Sequence, residues 1–229
     1  MTPTAAHKHA AERGRSVALF GGTFDPVHAG HIAVAKAALR RFHLGAVHFI
    51  PSARPPHKSG LALTPFVHRY AMVALACAGH SGLVPSLAEG TFDGLPPRVF
   101  YTVDTVRRFR RQHPHDHVYF IVGADQFLEI PTWKEYEALL DLCDFIVASR
   151  PGSRLDALRL VIPPEKFASK MSHDPRKIVL RKSGIHLLTT VASHVSSTEV
   201  RKRLERGQSI RGLVPSRVED YIRGQVLYR

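Results

Sequence analysis

The sequence predicts an α/β fold: a doubly wound parallel sheet with helices on both faces, forming a single domain with a small C-terminal helical part. Apolar, β-branched or aromatic runs at 17–20, 47–50, 118–122 and 145–148 read as short buried strands. Between them lie segments with helical apolar spacing or helix-start signals. One helix between successive strands implies βαβ units and a parallel sheet. A length of 229 residues, 44% apolar and 22% charged, suits one such domain and excludes disordered and fibrous classes.

Each element has a local reason. Val17-Ala18-Leu19-Phe20 runs into Gly21-Gly22, a strand followed by a tight turn. Ile32, Ala35, Leu39 and Phe42 then recur on one face of a helix from about 28 to 43. After the strand at 47–50, Thr64-Pro65 reads as an N-cap with proline in the first turn, opening a helix to about 78 that stops at Gly79. A further helix covers about 102–112, and Gly123 closes the strand at 118–122. Thr132-Trp133-Lys134-Glu135 has the form of a capping box opening a helix to about 142. Pro151-Gly152 stops the strand at 145–148. Residues 152–184 read as an irregular insertion or peripheral helical piece, followed by a strand at 185–188 and helices at 197–205 and 217–223. The domain is expected over 16–229, with 1–15 a disordered extension.

Two cysteines, Cys77 and Cys143, exclude a disulfide framework and a four-thiolate zinc site, and both read as core residues. No apolar run approaches membrane-spanning length and the first fifteen residues carry no signal-like stretch, so a cytoplasmic chain without membrane contact is expected. The formal charge of +13 points to anionic partners. It is unevenly spread: the last eighty residues or so, from Arg150 onward, hold 17 basic against 7 acidic side chains.

The turn Gly21-Gly22-Thr23-Phe24-Asp25-Pro26-Val27-His28-Ala29-Gly30-His31 concentrates the chemistry. Paired glycines let backbone approach a ligand, and the helix that follows offers N–H groups and the positive end of its dipole, a phosphate site in outline. His28 and His31 stand one turn apart at that helix start, where both rings can reach one anion. A second helix start, Ser196-Ser197-Thr198-Glu199, is followed by Arg201. The histidines at 113, 115 and 117 read as a surface loop.

GGTFDPVHAGH resembles the signature of the HxGH nucleotidyltransferases, which have a Rossmann-like fold, and VSSTEVR at 195–201 resembles their second signature. The segments PSARPPHK at 51–58, FYT at 100–102, GAD at 123–125, PTW at 131–133, SRPG at 149–152 and GQVLYR at 224–229 follow the order found in bacterial nicotinate-nucleotide adenylyltransferases. The resemblance implies adenylyl transfer from ATP to nicotinate mononucleotide, with Mg2+ delivered by ATP, no dedicated protein metal site and no nucleic-acid partner. It implies catalytic roles for His28, His31 and Arg201. ATP contacts are implied for Gly21, Gly22, Thr23, Phe24, Gly123, Asp125, Ser197 and Thr198. Acceptor contacts are implied for Ser52, Lys58, Tyr101, Thr102, Trp133, Lys134 and Arg150. Ser52 and Lys134 depart from the family, which commonly has asparagine and an aromatic residue there. Phosphopantetheine adenylyltransferases and cytidylyltransferases share the first signature, but would not be expected to carry the PPHK, YT and PTW segments in this order.

Overall fold

The computed structural model describes residues 14–53, 63–90, 99–149, 155–189 and 195–229. Seven strands form one sheet: β1 (Ser16–Gly22), β2 (Ala46–Pro51), β3 (Leu83–Pro85), β4 (His117–Gly123), β5 (Asp144–Ser149), β6 (Lys177–Val179) and β7 (Gly184–Thr189). Their spatial order is β3-β2-β1-β4-β5-β7-β6. All neighbours are parallel except β6, which runs antiparallel to β7. The helices are α1 (Ala29–Arg41), α2 (Phe66–Cys77), α3 (Thr102–Gln112), α4 (Ala124–Leu128), α5 (Tyr136–Leu142), α6 (Leu155–Arg159), α7 (Ser197–Glu205) and α8 (Ser216–Gly224).

Strand alternation splits the core into two halves. Ala18 and Phe20 of β1 face one layer of apolar side chains; Val17 and Leu19 face the other. The first layer gathers Ala35 and Ala38 of α1, Met72 and Val73 of α2, Val200 of α7 and Val218 of α8. The second gathers Val103 and Val106 of α3, Phe127 of α4 and Leu139 and Leu140 of α5. A sheet buried on both faces explains why its strands read as continuous apolar runs. The chain winds outward from β1 to β3 in one direction and from β4 to β7 in the other. The order therefore reverses between β1 and β4, where doubly wound sheets form a crevice beyond the carboxyl ends of the strands.

Several local expectations change. The expected extension over 1–15 falls mostly outside the described residues, and Arg15 itself is bound: its amide donates to Asp116 at 3.0 Å and its carbonyl accepts from the His117 amide at 2.9 Å. Within 152–184, described from 155 onward, the chain forms α6 as a peripheral helical piece and adds the edge strand β6, which three residues of weak pattern did not announce. Strand β3 is equally short and was not foreseen. Thr64 does not cap α2; Pro65 holds that position, and Thr64 turns its amide and carbonyl to other partners. Gly79, at φ +80°, follows the end of α2 in the conformation that favours glycine.

At the amino ends of the strands, opposite the crevice, Asp144 accepts from the Gly184 amide at 2.8 Å and faces Nε2 of His186 at 3.1 Å and of His117 at 3.4 Å. Burial alone would raise its pKa; the hydrogen bonds from His117 and His186 outweigh burial and hold the carboxyl well below the usual range. A depressed folded pKa stabilises the fold above the unfolded value of about 4 and ceases to do so as pH falls through the folded one. Asp144→Asn is expected to lose about 1–3 kcal/mol at pH 7 by urea unfolding, with the gap to the parent narrowing as pH falls below about 4.

Candidate active site

A cavity of about 290 Å³ opens at the reversal point. Gly21, Gly22 and Thr23 line it at the end of β1, with Ser52 beside them, its amide donating to the Gly22 carbonyl at 2.9 Å. Tyr101, Thr102, Trp133 and Lys134 line it as well, as do Phe120 and Val122 of β4.

The aromatic rings around the glycine pair leave little room for side chains. A Cβ on Gly22 would meet the Phe24 ring at 3.1 Å, and one on Gly21 would meet Phe120 at 3.2 Å. Phe24, at φ 49°, turns its ring beneath the loop, where it packs edge-on against His31 at 4.9 Å. The peptide between Asp25 and Pro26 is cis. His28 then occupies the N-cap of α1 with extended backbone, and its amide donates to Nδ1 of His31 at 3.1 Å. Since Nδ1 accepts, a neutral His31 carries its proton on Nε2. The two imidazoles stack with centroids 3.7 Å apart. Burial, reinforced by the His28 ring, pushes the His31 pKa well below its ordinary value; burial alone lowers His28 to about 4. Both shifts favour the neutral rings at pH 7, which offer hydrogen-bond donors rather than fixed cations. The helix amides contribute less than the sequence suggests, because the Ala29 amide donates to the Leu213 carbonyl at 2.8 Å and the His31 amide to the His28 carbonyl at 3.0 Å.

Three distant side chains fasten this turn. Arg201 Nη1 donates to the Asp25 carbonyl at 2.6 Å, and Ser197 Oγ donates to the Pro26 carbonyl at 2.9 Å, so α7 starts against the glycine turn. The Tyr228 hydroxyl donates to Asp25 Oδ1 at 2.6 Å, while the Thr64 amide donates to Oδ2 at 3.3 Å. Arg69 lies beneath, 1% exposed. Its Nε donates to the Thr64 carbonyl at 2.8 Å, Nη1 to the carbonyls of Thr23 at 2.8 Å and Ser52 at 2.7 Å, and Nη2 to that of Ala53 at 3.2 Å. Burial lowers the Arg69 pKa, which Asp25, Tyr228 and Glu89 nearby partly offset.

The fold and both signature segments now match known proteins. The cytidylyltransferase-like family model covers residues 19–203. A probable nicotinate-nucleotide adenylyltransferase of Geobacter sp. (strain M21) is 41% identical over 92% of this chain and 96% of its own length. One from Moorella thermoacetica is 42% identical over 93% and 91%. The chain belongs to the nicotinate-nucleotide adenylyltransferase family. The fold is shared with the nicotinic acid mononucleotide adenylyltransferase of Plasmodium falciparum, solved with APC and with NaAD, at a TM-score of 0.70 and 20% identity over 93% of this chain and 97% of that one.

The segment around Trp133 is built differently from expectation. Residues 130–132 form a 3-10 turn, Thr132 Oγ1 donates to the Glu129 carbonyl at 2.7 Å, and Glu135 sits at φ 49°, so α5 begins only at Tyr136. The capping box does not form. Trp133 consequently ends the 3-10 turn, its amide donating to the Ile130 carbonyl at 2.9 Å and its indole packing edge-on against Phe120. One face of the indole completes the core and the ring also lines the cavity. Thr102 is the first residue of α3, so its amide has no acceptor within the helix. Lys134 Nζ lies 3.1 Å from Asp104 and 4.6 Å from the centre of the Tyr101 ring. Gly123 ends β4 and is the N-cap of α4, with Asp125 exposed in its first turn rather than capping it. Ser196, as expected, caps α7 by accepting from the Glu199 amide at 3.1 Å, but the Glu199 carboxylate turns to Arg203 at 2.7 Å instead of closing a box. Lys58 and Arg150 lie outside the described residues.

Arg69, Tyr228 and Glu89 were missed as site residues. Arg69 is one arginine on a helix and Glu89 one acid in a loop; only their burial marks them, and burial is set by the fold. Arg69→Met would leave four loop carbonyls without their donor. It is expected to cost about 3 kcal/mol or more in urea unfolding and to reduce turnover further than that loss of folded protein explains.

Proposed function

We propose that this cavity carries out adenylyl transfer from ATP to nicotinate mononucleotide. The acceptor's 5′-phosphate attacks the α-phosphorus of ATP in line, the bond to the bridging oxygen breaks, and pyrophosphate departs from nicotinate adenine dinucleotide, a step of NAD biosynthesis. The observation that carries the reading is the meeting of the two signatures: Arg201 reaches the Asp25 carbonyl at 2.6 Å across 176 positions of sequence.

Attacker and target are both anions, so the site must hold two phosphates together and take up the charge that develops between them. His31 donates from Nε2 and His28 from its stacked ring toward the α-phosphate, with no desolvated positive charge to maintain before ATP arrives. Arg201 keeps guanidinium donors for the β- and γ-oxygens and for departing pyrophosphate, beside the start of α7 at Ser197 and Thr198. Gly21, Gly22, Thr23 and Phe24 shape the floor, and Gly123 and Asp125 border the nucleoside. Mg2+ enters with ATP as part of the substrate. The ion keeps several waters and relies mainly on phosphate oxygens.

On the acceptor side, Trp133 offers a face to the pyridine ring and the Thr102 amide a donor to its carboxylate. Ser52 and Tyr101 complete that wall, and Lys58 and Arg150 are assigned to the acceptor by family pattern alone. Lys134 belongs to a chain of alternating charge: Asp104 pairs with Lys134 and Arg107, and Arg107 with Glu135 at 2.6 Å. Lys134, rather than either anion of that chain, lines the cavity. This favours an acid over an amide on the pyridine ring.

Pyrophosphate release from Mg-ATP, with nicotinate mononucleotide, nicotinamide mononucleotide and phosphopantetheine as separate acceptors, tests the reaction; turnover confined to phosphopantetheine would refute it. His31→Ala is expected to lower kcat by about 100-fold or more with unchanged thermal unfolding. Lys134→Ala is expected to narrow the preference for the acid over the amide nucleotide by about two- to fivefold, read from the ratio of kcat/KM values.

A further inference from the structure

Two carboxyls line the cavity among the described residues, and they differ in surroundings: Glu129 is exposed, whereas Glu89 is 8% exposed. Glu89 follows β3 and faces α3. Its Oε1 accepts from the Thr105 hydroxyl at 2.9 Å, and the Ala53 amide also hydrogen-bonds it. The cationic groups nearest in effect are Arg108 of α3 and Arg69 of α2. Both direct hydrogen bonds elsewhere: Arg108 Nη2 to the Ala88 carbonyl, and Arg69 to the four loop carbonyls already described. Two donors do not exhaust a carboxylate, which offers about four lone-pair directions. Burial raises the Glu89 pKa to about 7, against the opposing pull of Thr105, Arg108, Ala53 and Arg69.

A buried carboxyl in a cavity meant for an anion needs a ligand group that does not repel it. Nicotinate mononucleotide presents a phosphate, a ribose diol and a ring carboxylate. The first and last are anions and conflict with Glu89 whenever it is ionised. A hydroxyl suits both of its forms, donating to the carboxylate or accepting from the acid. Position agrees with chemistry. The glycine turn assigned to phosphate and the Trp133 and Thr102 groups assigned to the ring line the same cavity as Glu89, and the sugar joins phosphate to ring. Ser52, Glu89 and Thr105 all line the same cavity.

We propose that Glu89 recognises the ribose hydroxyls of the acceptor mononucleotide. This rests on the acceptor occupying the cavity as described above. Were Glu89 only a clamp between the loop after β3 and α3, its loss would weaken binding of any acceptor equally. The test compares nicotinate mononucleotide with its 2′-deoxy and 3′-deoxy forms in the parent, Glu89→Ala and Glu89→Gln, with Trp133→Ala as a control for the cavity. The parent is expected to lose about tenfold or more in kcat/KM with at least one deoxy acceptor. Glu89→Ala is expected to accept ribo and deoxy forms within about twofold of each other, with a raised KM for the acceptor and an unchanged KM for ATP. If Glu89→Ala does not fold, Glu89→Gln is read instead, and the ratio of ribo to deoxy acceptors should fall several-fold. A parent that does not distinguish the acceptors, or variants that keep the parent's ratio, overturns the assignment to Glu89. Trp133→Ala leaving the acceptor KM unchanged would instead refute the placement of the acceptor.

Discussion

The loops bordering the glycine end of the cavity meet at one buried guanidinium. Arg69 binds carbonyls from the loop after β1, the loop after β2 and the segment leading into α2. Carbonyls that turn away from a strand end must find donors or face water. A planar group with five donors in fixed directions can satisfy several at once, which lysine cannot. The cost is a buried charge, and Asp25 and Glu89 lie close enough to offset part of it. The carboxylate of Asp25 in turn holds Tyr228, so the last residues of the chain are tied to the first loop of the sheet.

From this arrangement follows the electrostatic character of the site. The ring of His31 packs against Phe20 and Phe24, and the rings of His28 and His31 stack on each other; such surroundings favour neutral imidazole. In the proposed reaction the fixed positive charge beside the phosphates would belong to Arg201, while the histidines would supply direction. A net charge of +13 makes this division easy to overlook, since any of fifteen histidines seems available to add to it. The excess carried from Arg150 onward is only in small part drawn into the site, through Arg201.

Elements that depend on neighbours in sequence were legible. Strand, glycine pair and helix from 16 to 41, the stop of α2 at Gly79 and the Ser196 cap of α7 all follow from local backbone preference. Errors arose where tertiary contacts outbid local pattern. Thr132 to Glu135 fits a capping box, yet Thr132 bonds the preceding 3-10 turn and Glu135 is drawn to Arg107, so the helix starts later. Strands β3 and β6 are three residues each, too short to show a period; each exists because an edge of the sheet offers a partner.

By itself the sequence determined the fold class, the glycine turn between β1 and α1 and the family, because these depend on residue types at fixed short spacings. The tertiary structure decided what those residues become. It made two histidines neutral by burying them and set Arg201 against Asp25. It also turned an ordinary arginine and an ordinary glutamate into the fastening and the wall of the cavity. Burial and hydrogen-bond partners are properties of segments brought together from distant parts of the chain, and no local spacing encodes them.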